Sequence, residues 1–203
     1  HTHWSYGARA TVEETFAGAA RLGLRILAIT EHHVIDSVPE ATEVASRYPG
    51  LGYLPSAELT VDTSIGAVDL VCLGFPQDAR ERLAPLWRRY HEWQREYGSA
   101  FSAGLQALGI DYSESAREEV LRRYRPEKAM AVQGVTHVNN AVQRAFLLER
   151  GFIETAEDYG PLIKQVARTS GLPRYPAVAD VVPLVKELGV LVSIAHPRGY
   201  FLE

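Results

Sequence analysis

The arrangement that most restricts the fold of this chain is a helical segment followed by Leu-Gly and an apolar strand, and it occurs twice. Residues Val12 to Leu22 have the apolar spacing of an amphipathic helix and precede a predicted strand over Arg25 to Thr30. The second copy joins a predicted helix over Ala177 to Leu188 to a strand over Val190 to Ala195. Helices that alternate with apolar strands predict an α/β fold.

The rest of the chain extends this alternation. Strands are predicted over Leu51 to Leu54 and Ala67 to Gly74, with a helix near Glu40 to Arg47. The last strand of the chain lacks polar alternation, which is typical of a strand buried in a parallel sheet. The glycines after the two repeated helices, Gly23 and Gly189, predict left-handed helix caps. The pattern predicts an α/β barrel or a doubly wound sheet.

The middle of the chain has a different composition, rich in Arg, Glu, Trp and Tyr on a helical pattern without strand signals. We therefore predict a barrel domain over residues 1–76 and 126–203 and an inserted helical subdomain over 77–125. Large apolar side chains recur there at spacings of three or four, which places them on one helix face: Leu83, Leu86, Trp87, Tyr90, Trp93, Tyr97 and Phe101. Two interpretations stay open, packing against the barrel and a lid that stacks on a planar substrate group.

Composition excludes several classes of function. The 203 residues include 46% hydrophobic and 23% charged ones, as in ordinary globular proteins. The 21 basic and 25 acidic residues are interleaved, so nucleic acid is not expected as a bulk partner. No apolar stretch approaches the roughly 18–20 residues that span a bilayer, and the N-terminal residues lack the basic-then-apolar layout of a signal peptide. We expect a cytoplasmic protein without a membrane partner, and oligomeric state is not predicted.

The cysteine and the two chain ends carry further expectations. Cys72 is the only cysteine and cannot form an internal disulfide, so its apolar surroundings predict a small buried hydrophobic side chain. The first residue already belongs to a motif, and the last one follows closely on another. The barrel is therefore expected to be incomplete at both ends.

Histidines at the ends of predicted strands give the strongest functional signal. In His1-Thr2-His3 the two imidazoles project from one face of an extended chain and can share one cation. His32 and His196 each follow an apolar strand, which places them at the carboxyl rim where α/β barrels have their active sites. Glu58 also follows a predicted strand and offers a carboxylate that can bridge two metals. His33 and His137 occupy similar positions, whereas His91 lies within a charged helix and is expected to be solvated.

These motifs resemble the PHP family of metal-dependent phosphoesterases, named for polymerase and histidinol phosphatase. The resemblance rests on five stretches in the family's order: HTHWSYG at 1–7, AITEHH at 28–33, SAELT at 56–60, THVNNA at 136–141 and IAHP at 194–197. It implies a distorted (β/α)7, TIM-like barrel with divalent metals at the strand carboxyl ends. The implied metal ligands are His1, His3, His32, Glu58, His137 and His196, with His33 behind them. The helical region and the RAFLLERG stretch at 144–151 are most similar to the branch that acts on nucleotides.

The sequence departs from the family pattern at several positions. Tyr6 replaces an aspartate that would bind a third metal, and Glu31 replaces the aspartate of a Thr-Asp-His motif. Val71 stands near an expected histidine, and Asp69 would point to the same face of that strand. Val135 replaces an arginine that would bind phosphate. A closing Asp-x-His motif of the family would lie after Glu203.

The resemblance predicts hydrolysis of a phosphoester on a small molecule such as a nucleotide, by metal-activated water. Glu58, His196 and Arg198 are the predicted catalytic residues, with Arg198 contacting the phosphate. Two divalent ions are expected, and Mn, Zn, Fe and Mg remain open because His-rich sites with carboxylates suit several ions. The sequence has no Gly-x-Ser-x-Gly nucleophile motif. Two alternatives stay open: a degenerate domain that serves as a metal-binding or regulatory module, and hydrolysis of a non-phosphate ester or amide.

Overall fold

The computed structural model describes residues 1–201, with side chains through Tyr200. Over these residues the chain is mixed α/β, and its elements follow in this order: α1 (Val12–Arg21), β1 (Ile26–His32), α2 (Val38–Ala45), β2 (Gly52–Thr63), β3 (Gly66–Leu73), α3 (Ala79–Arg82), α4 (Ala84–Ala107), α5 (Glu114–Arg122), α6 (Glu127–Gln133), α7 (Asn140–Glu149), α8 (Tyr159–Ser170), α9 (Val178–Glu187), β4 (Leu191–Ile194) and α10 (Arg198–Phe201). The α/β prediction is therefore confirmed, and residues 77–125 contain only helices and loops.

The strands form one sheet in the order β1-β2-β3-β4. Strands β1 and β2 are parallel, whereas β3 is antiparallel to both β2 and β4. The predicted (β/α)7 barrel is not seen, because the sheet of the described residues has four strands and is not closed. The physical reason lies in the short loop between Thr63 and Gly66, since so few residues can connect only antiparallel neighbours.

Strand β2 is much longer than predicted and contains Glu58 in its interior. The strand predicted over Leu51 to Leu54 continues past Pro55, whose carbonyl oxygen accepts backbone hydrogen bonds from Gly74 and Phe75, at 2.9 Å each. Beyond Pro55 the side chains alternate, with Ala57 and Leu59 fully buried in the core. Glu58 faces the other side of the strand. The expectation that Glu58 follows a strand was therefore wrong in its local detail.

Strand β4 was expected to be buried on both faces, and this was also wrong. As the last strand in the sheet order, it leaves Leu191 66% and Ile194 45% exposed. Ile26 of the opposite edge strand, β1, is 69% exposed. An edge position has a partner on one side only, so apolar composition by itself does not guarantee burial.

Local signals predicted the helix ends well. Gly23 and Gly189 have φ angles of +69° and +74°, as left-handed caps require. Helix α1 begins with a capping box in which Thr11 and Glu14 satisfy each other's backbone N–H groups. None of the described helices combines the length and the apolar character needed to cross a bilayer.

Backbone contacts divide the chain into two compact units. The first contains residues 1–90 and those from Arg174 onward, and its core joins β2 and β3 to α9 through residues such as Leu59 and Val185. The second contains His91 to Pro173 and has its own apolar core around Leu105 and Leu121. The domain boundaries proposed from composition stay a prediction.

The aromatic stripe of α4 is mostly buried, since Trp87, Tyr90, Trp93 and Phe101 are each at most 5% exposed. Trp87 belongs to the core of the first unit and Phe101 to that of the second. Burial of this extent favours the packing interpretation of the stripe over a substrate-facing lid.

Candidate metal centre

The direction of the strands brings two of the predicted histidines, His32 and His196, to the same region of the first unit as Glu58 and Asp69. Two antiparallel steps separate β2 from β4, so β1, β2 and β4 all run the same way. His32 is the last residue of β1 and pairs with Glu58 of β2. His196 follows β4 by two residues, and Asp69 of β3 pairs with Thr60 of β2.

Contacts with two histidines make Glu58 the centre of this region. Its Oε2 atom lies 3.5 Å from Nε2 of His1, and its Oε1 atom lies 3.7 Å from Nε2 of His196. His196 Nε2 also lies 3.2 Å from Oδ2 of Asp69. Potential donor atoms thus form two groups, each within 4.8 Å: His1, His32 and Glu58, and Glu58, Asp69 and His196. Glu58 belongs to both groups.

His32 is held in place from several sides. Its Nδ1 atom lies 2.9 Å from the Ser5 hydroxyl, and its ring stacks on His1 with 4.0 Å between centroids. A Cβ atom at Gly7 would come within 3.1 Å of its Cε1 atom, so glycine leaves the space that the ring needs. Burial lowers the pKa of His32 to about 4. The ring is therefore neutral near pH 7, the form in which imidazole binds a metal.

The carboxylates explain why this region suits a cation. Burial raises the pKa of Glu58, and the nearby charge of Asp69 raises it further. Two carboxylates in a partly buried site repel each other, and a divalent ion between them would remove that cost. Imidazole nitrogens with carboxylate oxygens are the usual ligands of zinc and manganese ions. The residues present therefore fit a divalent metal.

Asp69 is fixed by residues that the sequence analysis did not identify. Its Oδ1 accepts a 2.6 Å hydrogen bond from the Thr60 hydroxyl, and its Oδ2 accepts one of 3.1 Å from the Tyr200 hydroxyl. Its backbone N–H donates to the same Tyr200 oxygen at 3.0 Å. Only the strand alternation, which puts Asp69 and Val71 on one face, could have indicated this position from the sequence.

The His-Thr-His segment is anchored through its central residue. The Thr2 backbone N–H donates to Oε2 of Glu31 at 2.9 Å, and the Thr2 hydroxyl donates to Oε1 of the same carboxylate. Both residues are fully buried, and burial raises the pKa of Glu31. His3 instead has its Nε2 atom 3.8 Å from Glu40, which also accepts a 2.6 Å hydrogen bond from Trp4. His3 belongs to neither donor group.

His137 and Arg198 are placed differently from the other candidates. His137 is buried in the second unit, with its ring 5.5 Å from that of Trp93 and 5.0 Å from that of Tyr97. It is in neither donor group, so its role as a ligand stays a prediction. Arg198 is the first residue of α10 and its side chain is exposed. Its contact with a phosphate also stays a prediction.

Tyr6, at the position where the family resemblance predicted a carboxylate, packs on the histidines. Its ring centroid lies 5.0 Å from that of His32 and 5.9 Å from that of His33. His33 lies behind the site, with Nε2 2.8 Å from the Thr60 hydroxyl. His91, expected to be solvated, is partly exposed on α4.

Two solved structures of larger proteins share the fold of this chain. One is an amidohydrolase from Chromobacterium violaceum with bound sulfate and no metal; it is 24% identical, with a TM-score of 0.71 over 100% of this chain and 67% of that one. The other is a proposed metal-dependent phosphoesterase from Bifidobacterium adolescentis; it is 22% identical, with a TM-score of 0.69 over 97% of this chain and 64% of that one. No protein-family model and no curated protein matches the sequence. The chain therefore shares the fold of these two proteins and spans about two thirds of their length.

Proposed function

We propose that this chain is a metal-dependent hydrolase that cleaves a phosphoester of a small molecule such as a nucleotide. The observation that carries the proposal is the Glu58 carboxylate, whose two oxygens lie 3.5 Å from His1 Nε2 and 3.7 Å from His196 Nε2. A carboxylate shared between two groups of imidazole and carboxylate donors is typical of a site for two divalent ions. The fold that the chain shares with two hydrolases supports the same proposal.

The two donor groups define which residues would hold the ions. His1, His32 and Glu58 would bind one, and Glu58, Asp69 and His196 would bind the other. The mixture of imidazole and carboxylate favours Mn, Zn or Fe over Mg alone. We propose two ions rather than three, because Tyr6 offers a neutral phenol where a third site would need a carboxylate.

His3 and His137 stay on the list of proposed ligands through the family resemblance alone. Neither one belongs to a donor group formed by the described residues. A variant of each, measured for metal affinity, decides whether it contributes.

Divalent ions in such a site lower the pKa of a bound water toward neutrality and offset the charge of phosphoryl oxygens. The chain's own residues then have three tasks. Glu58 and Asp69 supply the negative charge that retains the ions, while the neutral His32 ring supplies a nitrogen without adding positive charge. Arg198, two residues after His196, is proposed to bind a phosphoryl oxygen of the substrate.

A phosphoester is preferred to an amide or lactone for two reasons beyond the sequence motifs. The amidohydrolase structure contains sulfate, a tetrahedral dianion with the shape and charge of phosphate. The second similar structure is proposed to be a phosphoesterase.

A closed (β/α)7 barrel also belongs to this proposal, because closure would bury the apolar side chains that β1 and β4 expose at Ile26 and Leu191.

The test is a hydrolysis assay on the full chain loaded with Mn²⁺ or Zn²⁺. Phosphate release would be measured from p-nitrophenyl phosphate and nucleoside monophosphates, beside an amide and a lactone. Glu58→Gln is expected to abolish turnover, because it removes the charge shared by the two donor groups without changing side-chain volume. Glu43→Gln, at an exposed position of α2, is the matched control and should retain full activity.

Each alternative has its own result. Turnover of only the amide or lactone would replace the phosphoester proposal with the alternative of a hydrolase that acts on a non-phosphate ester or amide. Metal binding without turnover of any substrate would favour a binding or regulatory module. A chain that binds no divalent ion would contradict all three.

A further inference from the structure

The Asp69 carboxylate is held from two sides, although its side chain is partly exposed. Its side chain is 25% exposed, and an aspartate in that position could rotate about its two side-chain bonds. The Thr60 hydroxyl binds Oδ1 at 2.6 Å, and the Tyr200 hydroxyl binds Oδ2 at 3.1 Å. The oxygen that Tyr200 binds is also the one 3.2 Å from His196 Nε2. Both hydroxyls therefore fix the orientation of the carboxylate toward His196.

Counting protons determines which way these hydrogen bonds run. A threonine hydroxyl has one proton to donate, and an ionised carboxylate can only accept. Thr60 therefore gives its proton to Asp69 and must accept from its other neighbour. That neighbour is Nε2 of His33, 2.8 Å away. The His33 ring thus carries its proton on Nε2, and a relay runs from His33 through Thr60 to Asp69.

His33 itself is constrained by the surrounding structure. Its side chain is fully buried, and its ring stacks on Tyr90 with 5.2 Å between centroids and 3° between planes. Its backbone N–H donates to the Glu58 carbonyl at 2.8 Å. The Tyr90 hydroxyl donates to the Thr60 carbonyl at 2.9 Å, which fixes the backbone of the relay's middle residue.

The backbone of His33 adds a second observation. Its φ angle is +65°, in the left-handed region that residues with a Cβ atom rarely adopt. Such a conformation persists where the surrounding structure over-determines it, and it often marks a functional site. The positive φ turns the chain away from the strand path directly after His32, the last residue of β1.

We infer that His33, Thr60 and Tyr200 are positioning residues that orient Asp69 for one of the two metal sites. This inference rests on the proposed function and extends it to residues outside the donor groups. Val71 stands near the position where the family resemblance predicted a histidine ligand, and Asp69 lies on the same face of β3. The aspartate side chain is shorter than that of a histidine. The relay compensates for this by keeping one carboxylate orientation. Replacing a residue that hydrogen-bonds to a metal ligand usually lowers the metal affinity about 10- to 100-fold.

Calorimetric titration of the metal-free full chain with Mn²⁺ tests the inference without an activity assay. The wild type is expected to bind two ions. Thr60→Val keeps the shape of the side chain but removes its hydroxyl, and should weaken one of the two sites about 10- to 100-fold while leaving the other unchanged. Thr60→Ser restores the hydroxyl and is expected to recover most of that affinity.

Tyr200→Phe is the second variant, because it removes a hydroxyl at the partly exposed end of the network and leaves the strands intact. It should weaken the same site as Thr60→Val. Nitrogen NMR of the His33 ring supplies a signature that a general loss of stability would not change: the wild type should show the Nε2-protonated tautomer, and Thr60→Val should alter the shift of that nitrogen.

The results separate this inference from the proposed function. Two ions bound by the wild type, with unchanged affinities in Thr60→Val and Tyr200→Phe, would overturn the inference and leave the proposed function standing. An Nδ1-protonated His33 would also overturn it. A wild type that binds no Mn²⁺ or Zn²⁺ would overturn both.

Discussion

Replacing Thr2 by valine tests how the first two predicted metal ligands are held in place. Thr2 lies between His1 and His3, and both its backbone N–H and its hydroxyl donate to the buried Glu31 carboxylate. Valine matches threonine in shape and keeps the backbone N–H. The substitution therefore removes the hydrogen bond from the hydroxyl to Glu31 and the longer one, 3.4 Å, that the hydroxyl accepts from the Trp4 backbone N–H.

The expected size of the effect follows from the burial of both partners. Thr2 and Glu31 are each 0% exposed, so water cannot replace the lost donor. Leaving a buried acceptor without its donor costs about 1–3 kcal/mol, and we expect Thr2→Val to lower the free energy of unfolding by about 2 kcal/mol. For a chain of this size that loss corresponds to a fall in Tm of about 4–8 °C.

The assay is thermal and urea unfolding in the presence of EDTA, so that bound metal does not contribute. Thr2→Ser keeps the hydroxyl and should stay within about 1 kcal/mol of the wild type. Thr42→Val is the matched control, because the Thr42 hydroxyl donates only to the Val38 carbonyl on the exposed surface of α2. A Thr2→Val protein as stable as Thr42→Val would refute the reasoning.

Three further predictions follow from the structure. Mn²⁺ at about a hundred times its Kd should raise the free energy of unfolding by about 2.7 kcal/mol for each site that it fills, and EDTA should reverse the gain; a Tm that does not respond would contradict metal binding to the fold. Burial raises the pKa of the Cys72 thiol to about 12, so an aromatic disulfide reagent at pH 8 should label this residue only after unfolding in urea. Gly98→Ala should lower the free energy of unfolding by about 1–3 kcal/mol, because the new Cβ atom would lie 2.7 Å from the Thr136 carbonyl oxygen. Gly18→Ala is the control, since nothing lies within 4 Å of its Cβ position, and it should stabilise α1 by about 0.5–1 kcal/mol. Equal Tm values for the two variants would show that the crowding at Gly98 is absent.

Local sequence signals predicted several of the helices and their ends. Apolar spacing predicted α1 and α9, and the glycines after them mark the helix ends because a left-handed backbone suits glycine. The burial of Cys72 also follows from its apolar neighbours. Such features depend on a few adjacent residues and need no knowledge of the rest of the chain.

The sequence also identified His1, His32, Glu58 and His196 as candidates, and the structure places all four in the two donor groups. Asp69 was recognised only as a residue on the face of Val71, because alternation along one strand gives its side but not its partners. His3 shows the limit of the motif: its neighbour in space is Glu40, which no local spacing connects to it.

Strand direction and register were decided only by the tertiary structure. A strand has the same local pattern in a parallel or an antiparallel pair, so the sequence could not show that β3 runs against its neighbours or that β4 lies at an edge. The contact between Asp69 and Tyr200 joins residues 131 positions apart, and the contact of Thr60 with Asp69 depends on the register of β2 on β3. Residue types thus determined which chemistry the chain can carry, whereas hydrogen bonding between distant strands determined which of those residues meet, because register is set by the whole sheet and not by any one segment.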